Sequence, residues 1–228
     1  MWQALREELR PLGVEVVTVA LDSGGAEAAG PWIDAAAPAH PSLIDASHVL
    51  DAALGVVNVP TGVWVSEEGV LVRPPEVAHP GTSVLRDMLA KHGMPSDGPQ
   101  ILRDQLIEAS QIRVKPERYG EALREWAQTG AHALTPDEVV ERSRPRPAEH
   151  SEAAAHFELG VALIDRDRAA ARSHFRAAHE LHPDNWTYKR QAWVLEDPFQ
   201  GPTEHYDSDW ITEIRAQGHD TYYPPPDL

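Results

Sequence analysis

The chain has 228 residues, a formal net charge of −16 with histidine neutral, and no cysteine. The acidity argues against nucleic acid and anionic membrane surfaces, which want clustered Lys and Arg, and the missing thiol excludes a disulfide, a thiolate nucleophile, a Cys metal site and a redox couple within these residues. An apolar share of 42% allows the core of one large or two small domains, no run approaches the roughly 18 apolar residues of a membrane span, and a cytoplasmic location follows by default.

Trp2, Leu5, Leu9 and Leu12 recur at helical spacing among charged residues, so an amphipathic helix opens the chain and Pro11 and Gly13 close it. Its charges also exclude a signal peptide. Val14–Leu21 is almost wholly apolar and β-branched, the pattern of a parallel-sheet strand buried on both faces. Asp22-Ser23-Gly24-Gly25 is a loop at its carboxyl end. Ala26–Ala37 is helical, with Gly30-Pro31 as a kink or restart. Ser42–Asp45 is a short edge strand. Ser47 caps a helix that carries Val49, Leu50, Ala53 and Leu54, and Gly55 ends it. Val56–Val72 then reads as a proline-led β-hairpin: Pro60 before Val63–Val65, a turn at Glu67-Glu68-Gly69, and Val70–Val72 returning. Ser83 begins a further helix with Val84, Leu85, Met88 and Leu89 on one face, stopped by Gly93 and Pro95.

Beyond residue 95 the pattern is helical. Ile101, Leu102, Gln105, Leu106 and Ala109 make one face. Pro116 opens a helix striped by Tyr119, Leu123 and Trp126 that Gly130 ends. Thr135-Pro136-Asp137-Glu138 is a capping box, and Ser143–Pro147 is an extended linker. Ala153–Leu163 and Ala169–Leu181 flank a polar turn, Asp165-Arg166-Asp167, with Pro183 closing the second helix. Trp186–Leu195 is a third helix. In the tail, Asp209–Ile214 is one short helix, and Tyr222-Tyr223-Pro224-Pro225-Pro226 is extended and suits an apolar groove of the same chain.

The order helix, strand, helix, edge strand, helix, hairpin, helix resembles the thioredoxin-like fold in its TlpA/ResA/redoxin branch. Val14–Asp22, His40–Asp45 and Val56–Gly69 with its Val59-Pro60-Thr61 corner carry the likeness. It implies a mixed α/β sheet, a cis Val59–Pro60 bond, and a substrate-binding face of Val59, Pro60 and Thr61, with Trp32 and Trp64 as further candidates. The family's buried strand and Cys-x-x-Cys, which precede its first helix, are absent from these residues. That strand belongs between Val14–Leu21 and Val63–Ser66, so its loss leaves two unpaired edges. Three resolutions are open: residues upstream of Met1 supply the strand, with or without cysteines; a partner chain or a rearranged sheet fills the gap; or the fold is a different one. Leu159-Gly160, Leu163, Ala171, Phe175, Ala178 and Pro183 similarly resemble one tetratricopeptide-type (TPR-like) hairpin, which must pack on a neighbour.

The expected architecture is therefore a thioredoxin-like unit (1–95), a helical connector and linker (96–150), a TPR-like hairpin with a capping helix (151–196) and a Pro/Tyr-rich tail (197–228). His179 and His182, three apart, are the nearest approach to a metal pair, but no third ligand joins them. Ser23-Gly24-Gly25 lacks the remaining marks of a phosphate loop, and no Gly-x-Ser-x-Gly elbow nominates a hydrolase nucleophile. No cofactor is implied. Two functions survive. One is a relative of thiol–disulfide oxidoreductases without its own redox pair. The other is a non-enzymatic scaffold that binds a protein or peptide through the TPR-like region and the Val59–Pro60 face; a homodimer follows if the sheet gap is filled in trans.

Overall fold

A computed structural model of the chain describes residues 2–80, 84–95, 97–143 and 146–228. Its first part alternates helix and strand: α1 (Trp2–Leu9), β1 (Thr18–Leu21), α2 (Gly25–Ala36), β2 (Ser42–Asp45), α3 (Val49–Leu54), β3 (Thr61–Val65), β4 (Leu71–Val77) and α4 (Val84–His92). The rest is helical: α5 (Gln100–Gln111), α6 (Pro116–Thr129), α7 (Pro136–Ser143), α8 (Ala148–Leu163), α9 (Arg168–Leu181), α10 (Trp186–Glu196), α11 (Trp210–Gln217) and α12 (His219–Tyr222). The protein is a mixed α/β molecule, with two small sheets among the described residues. β1 pairs with β2 in parallel, Thr18 opposite Ser42 and Leu21 opposite Asp45. β3 pairs with β4 antiparallel, Trp64 opposite Arg73, with irregular register around Val63. Among the described residues no ladder joins β1 to β3, so each keeps one free edge. No described helix is long and apolar enough to cross a membrane.

Local signals account for most boundaries. Gly13, Gly55 and Gly130 all take the left-handed backbone that ends their helices. Thr135 and Glu138 form the reciprocal capping box: the Glu138 carboxylate accepts from the Thr135 amide at 2.8 Å, and the Thr135 hydroxyl accepts from the Glu138 amide at 3.3 Å. Asp167 caps α9 through the Ala170 amide.

Four expectations are corrected. The strand foreseen over Val14–Leu21 contracts to Thr18–Leu21 and is only half-buried, with Val17 53% exposed. With one neighbouring strand it lacks the cover of a central strand, and the Glu15 carboxylate is held against α1 by Arg6 at 2.5 and 2.8 Å. Pro31 neither breaks nor restarts α2. α3 is turned over: Val49 is 64% exposed while Asp51 is 1% exposed. The cap there is not Ser47. The Asp45 carboxylate accepts the Val49 and Leu50 amides at 2.9 and 2.7 Å, and His48 in a left-handed conformation sets the helix direction. Finally, α8 starts at Ala148, five residues before the helix foreseen at Ala153, and Ser143 belongs to α7; Arg146 and Pro147 of the linker lie outside any helix, and residues 144 and 145, like the Ser83 cap, lie outside the described residues.

Two apolar clusters hold the molecule. Leu5 and Leu9 of α1, Trp64 of β3 and Tyr119, Ala122 and Leu123 of α6 form one, with Trp2 and Leu228 packed against it. The connector helix α6 is thus part of the sheet's own core. The second joins α8, α9, α10, α11 and the tail through Phe157, Phe175, Trp193, Ile214 and Tyr222. At its centre α8 and α9 approach closely because residue 160 is glycine: a Cβ there meets the Phe175 ring at 2.5–2.9 Å, and Phe175 is fully buried. Gly160→Ala gains about 1 kcal/mol of helix propensity but overpacks a closed core at ~1–3 kcal/mol. A lowered urea midpoint with unchanged m-value is the expected outcome.

Candidate binding site at the Val59–Pro60 corner

The Val59–Pro60 bond is cis, as the resemblance leads one to expect. Around it the backbone is saturated from within the chain. The Val59 amide donates to the Asn58 side-chain oxygen at 2.9 Å, and the Val59 carbonyl accepts the Tyr223 hydroxyl. The Pro60 carbonyl accepts the Ala78 amide at 3.2 Å, and the Thr61 hydroxyl donates to the Asn58 carbonyl at 2.6 Å. Buried Asn58 also donates to the Tyr222 carbonyl at 2.9 Å. One residue earlier, the Val57 carbonyl accepts the Trp186 and Thr187 amides at 2.7 and 3.2 Å, which satisfies the first turn of α10. Of the substrate face foreseen at Val59, Pro60 and Thr61, Val59 is held by the chain's own tail, and Pro60 and Thr61 are satisfied by Ala78 and Asn58; the tail docks as expected, but Tyr222, foreseen as extended, closes α12. Both tyrosines are buried, and burial pushes the Tyr223 hydroxyl well above its ordinary pKa.

Arg73, 2% exposed, locks the tail down. Its Nε and Nη2 donate to the Glu76 carboxylate at 2.7 and 2.9 Å, Nη1 to the His132 carbonyl at 2.8 Å, and Nη2 also to the Asp227 carbonyl at 2.7 Å. Its guanidinium lies 5.4 Å from the Trp64 ring centroid.

The two tryptophan candidates separate. Trp64 is a core residue between Tyr119 and Trp126, and its Nε1–H donates to the Tyr119 hydroxyl at 3.0 Å. Trp32 is 80% exposed on α2. His179 and His182 separate too. His179 is enclosed near Trp193 and Tyr206, and His182 stacks on His150 at 3.5 Å between centroids. Burial pushes His179 down to about 4; burial and then the neighbouring His150 do the same for His182. Among the described residues no three His, Asp or Glu side chains are placed to hold a metal ion.

Two features escape the sequence reading. Beside the corner lies an open cleft of about 250 Å³. Ile112, Val114 and Trp210 wall it, and His79, Arg190 and Tyr222 supply polar groups. A separate small pocket that shares His79, Val114 and Tyr223 with it is lined by Arg113 and Lys115. These residues come from five separate stretches, so no local motif announces them. The second feature is a buried polar cluster where α3 meets α8 and α10. The His48 ring donates to or accepts from Glu158 at 3.1 Å and stands edge-on to Phe157 at 4.9 Å. The Asp51 carboxylate is enclosed, with His48 and the Tyr188 hydroxyl facing it. Burial pushes its pKa up to about 7, against the opposing pull of His48. An acid at position 51 among Val49, Leu50 and Leu54 is the one hint in the sequence.

No family model, curated protein or solved structure matches the chain.

Proposed function

We propose that the chain is a non-enzymatic binding module, a thiol-free relative of the thioredoxin-like fold stabilised by a TPR-like helical region, which accepts an extended protein segment at its sheet edges. The observation that carries this reading is the separation of β1–β2 from β3–β4, each strand flanking the expected gap having one unpaired edge. Two-stranded sheets are marginal on their own, and a third strand adds main-chain hydrogen bonds while its alternate side chains give specificity. Apolar Val17 and Leu43 are exposed on the β1–β2 unit. The helical hairpin is a poorer docking surface, because Phe157, Phe175 and Ala178 are closed over by α10, α11 and the tail. Thiol chemistry has no group to work with in these residues, since cysteine is absent.

Two measurements test the reading. Dithiothreitol-dependent insulin reduction should not rise above the protein-free rate; clear turnover refutes a non-redox role. In hydrogen–deuterium exchange, the outward amides of Thr18–Leu21 and Thr61–Val65 should exchange far faster than those of α8 and α9. Equal protection would mean that the edges are already closed and would remove the proposed site.

A further inference from the structure

We propose that the cleft beside the tail binds a small monocarboxylate with a ring-sized apolar body, its carboxylate on Arg190 and its body against Trp210, Ile112 and Val114. The argument begins with Arg190. Its Nε–H donates to Gln200 at 3.0 Å and one Nη1–H to the Tyr222 hydroxyl at 3.2 Å. A guanidinium has five N–H groups, so three are left, and no carboxylate lies within ion-pairing distance among the described residues. This is unusual company in a chain with 36 acidic and 20 basic residues.

The surrounding groups point the same way. The Tyr222 oxygen accepts from Arg190 and from the Trp210 Nε1–H, both at 3.2 Å, which ties the guanidinium to the cleft's aromatic wall. His79 stands edge-on to Tyr223 at 5.8 Å, has no ring hydrogen bond among the described residues, and is pushed toward its neutral form by burial. No Asp or Glu lines the cleft, and exposed Arg113 and Lys115, which have no carboxylate partner among the described residues, line the neighbouring pocket that shares His79, Val114 and Tyr223. The site thus offers donors and positive charge over aromatic and branched apolar walls. One planar fork matches a carboxylate, and a volume near 250 Å³ is below that of drug-sized pockets. The required chemistry occurs on a free aromatic acid and at a chain terminus ending in an aromatic residue.

The test uses the full ¹⁵N-labelled chain and follows the Trp210 indole N–H, identified by its loss in Trp210→Phe. Phenylacetate should shift it saturably. Phenylacetamide, of the same shape without charge, should bind about 10–100-fold more weakly, the worth of a charged hydrogen bond. Arg190→Gln should lose phenylacetate binding by a similar factor. If that variant does not fold, His79→Phe keeps the ring contact with Tyr223 and should weaken binding about fivefold. Tighter binding of phenylacetate assigns the free acid, and at least tenfold tighter binding of acetyl-glycyl-phenylalanine assigns the chain terminus; both support the site. Equal affinity for the amide, undiminished binding in Arg190→Gln, or no saturable shift up to about 20 mM phenylacetate overturns it.

Discussion

Asp51→Asn should make the protein more stable at pH 8 and leave it nearly unchanged at pH 4. Asp51 is 1% exposed, and His48 and the Tyr188 hydroxyl face its carboxylate without offsetting the cost of burial. Burial lifts its pKa from 3.8 to about 7, so the fold favours the protonated form. Stability from this group is fully present below the unfolded value near 3.8 and is lost as pH rises to about 7. The interval corresponds to on the order of 4 kcal/mol, an upper figure for the gain that Asn brings at pH 8. His179 and His182 act with the opposite sign. Their folded values are depressed from 6.5 to about 4, so their contribution is present above 6.5 and lost as pH falls toward 4. Between pH 6.5 and 4 the native chain sets the gain at Asp51 against the loss at the histidines. The variant keeps only the loss, so its acid limb should be steeper. Urea melts of both proteins at pH 4, 5, 6, 7 and 8 isolate the difference. A gap between them that does not change with pH would show that Asp51 is ionised throughout.

Arg73→Met should cost about 3–5 kcal/mol, the range for breaking a buried ion pair while its partner charge remains. The Glu76 carboxylate, with only 14% of its side chain exposed, is then left without its cation, and the His132 and Asp227 carbonyls lose their donor. Arg73→Met/Glu76→Met should recover much of the loss, because removing both charges leaves no orphan. Arg73→Lys should not, since one ammonium cannot reproduce a planar fork on two oxygens and two carbonyls. Thermal unfolding followed by circular dichroism ranks the three. A single variant within about 0.5 kcal/mol of the native chain, the scale of an ordinary surface substitution, would show that Arg73 is a bystander.

Helix ends and the tail's docking were legible in the sequence, because a capping box at Thr135–Glu138, glycines at 13, 55 and 130, and two tyrosines ahead of three prolines act through neighbours a few residues away. The separation of β1–β2 from β3–β4 was anticipated only through the resemblance, whose sheet places a further strand between them, and the residues themselves did not show it. The buried charges were not legible. Glu108 of α5 meets Arg215 and His219 more than a hundred residues later, and Arg73 meets Asp227. Long-range polar pairing leaves no period for a pattern reading to find. The facing of α3 was misread for the same reason: its apolar stripe pointed one way, while the Asp45 cap and the His48 backbone turned it the other. In the candidate site the corner was anticipated but its occupancy was not, and the cleft, gathered from five stretches, was invisible.

The bond between Val59 and Tyr223 spans 164 residues. During synthesis at ~5–20 residues per second, the corner therefore leaves the ribosome on the order of ten to thirty seconds before the tyrosine that closes it. Collapse of a chain this size takes on the order of 100 microseconds, so assembly around the corner is timed by translation and not by diffusion. For that interval the corner is presented to solvent or to any chaperone at the exit tunnel, and a nascent chain paused before residue 222 would hold it open.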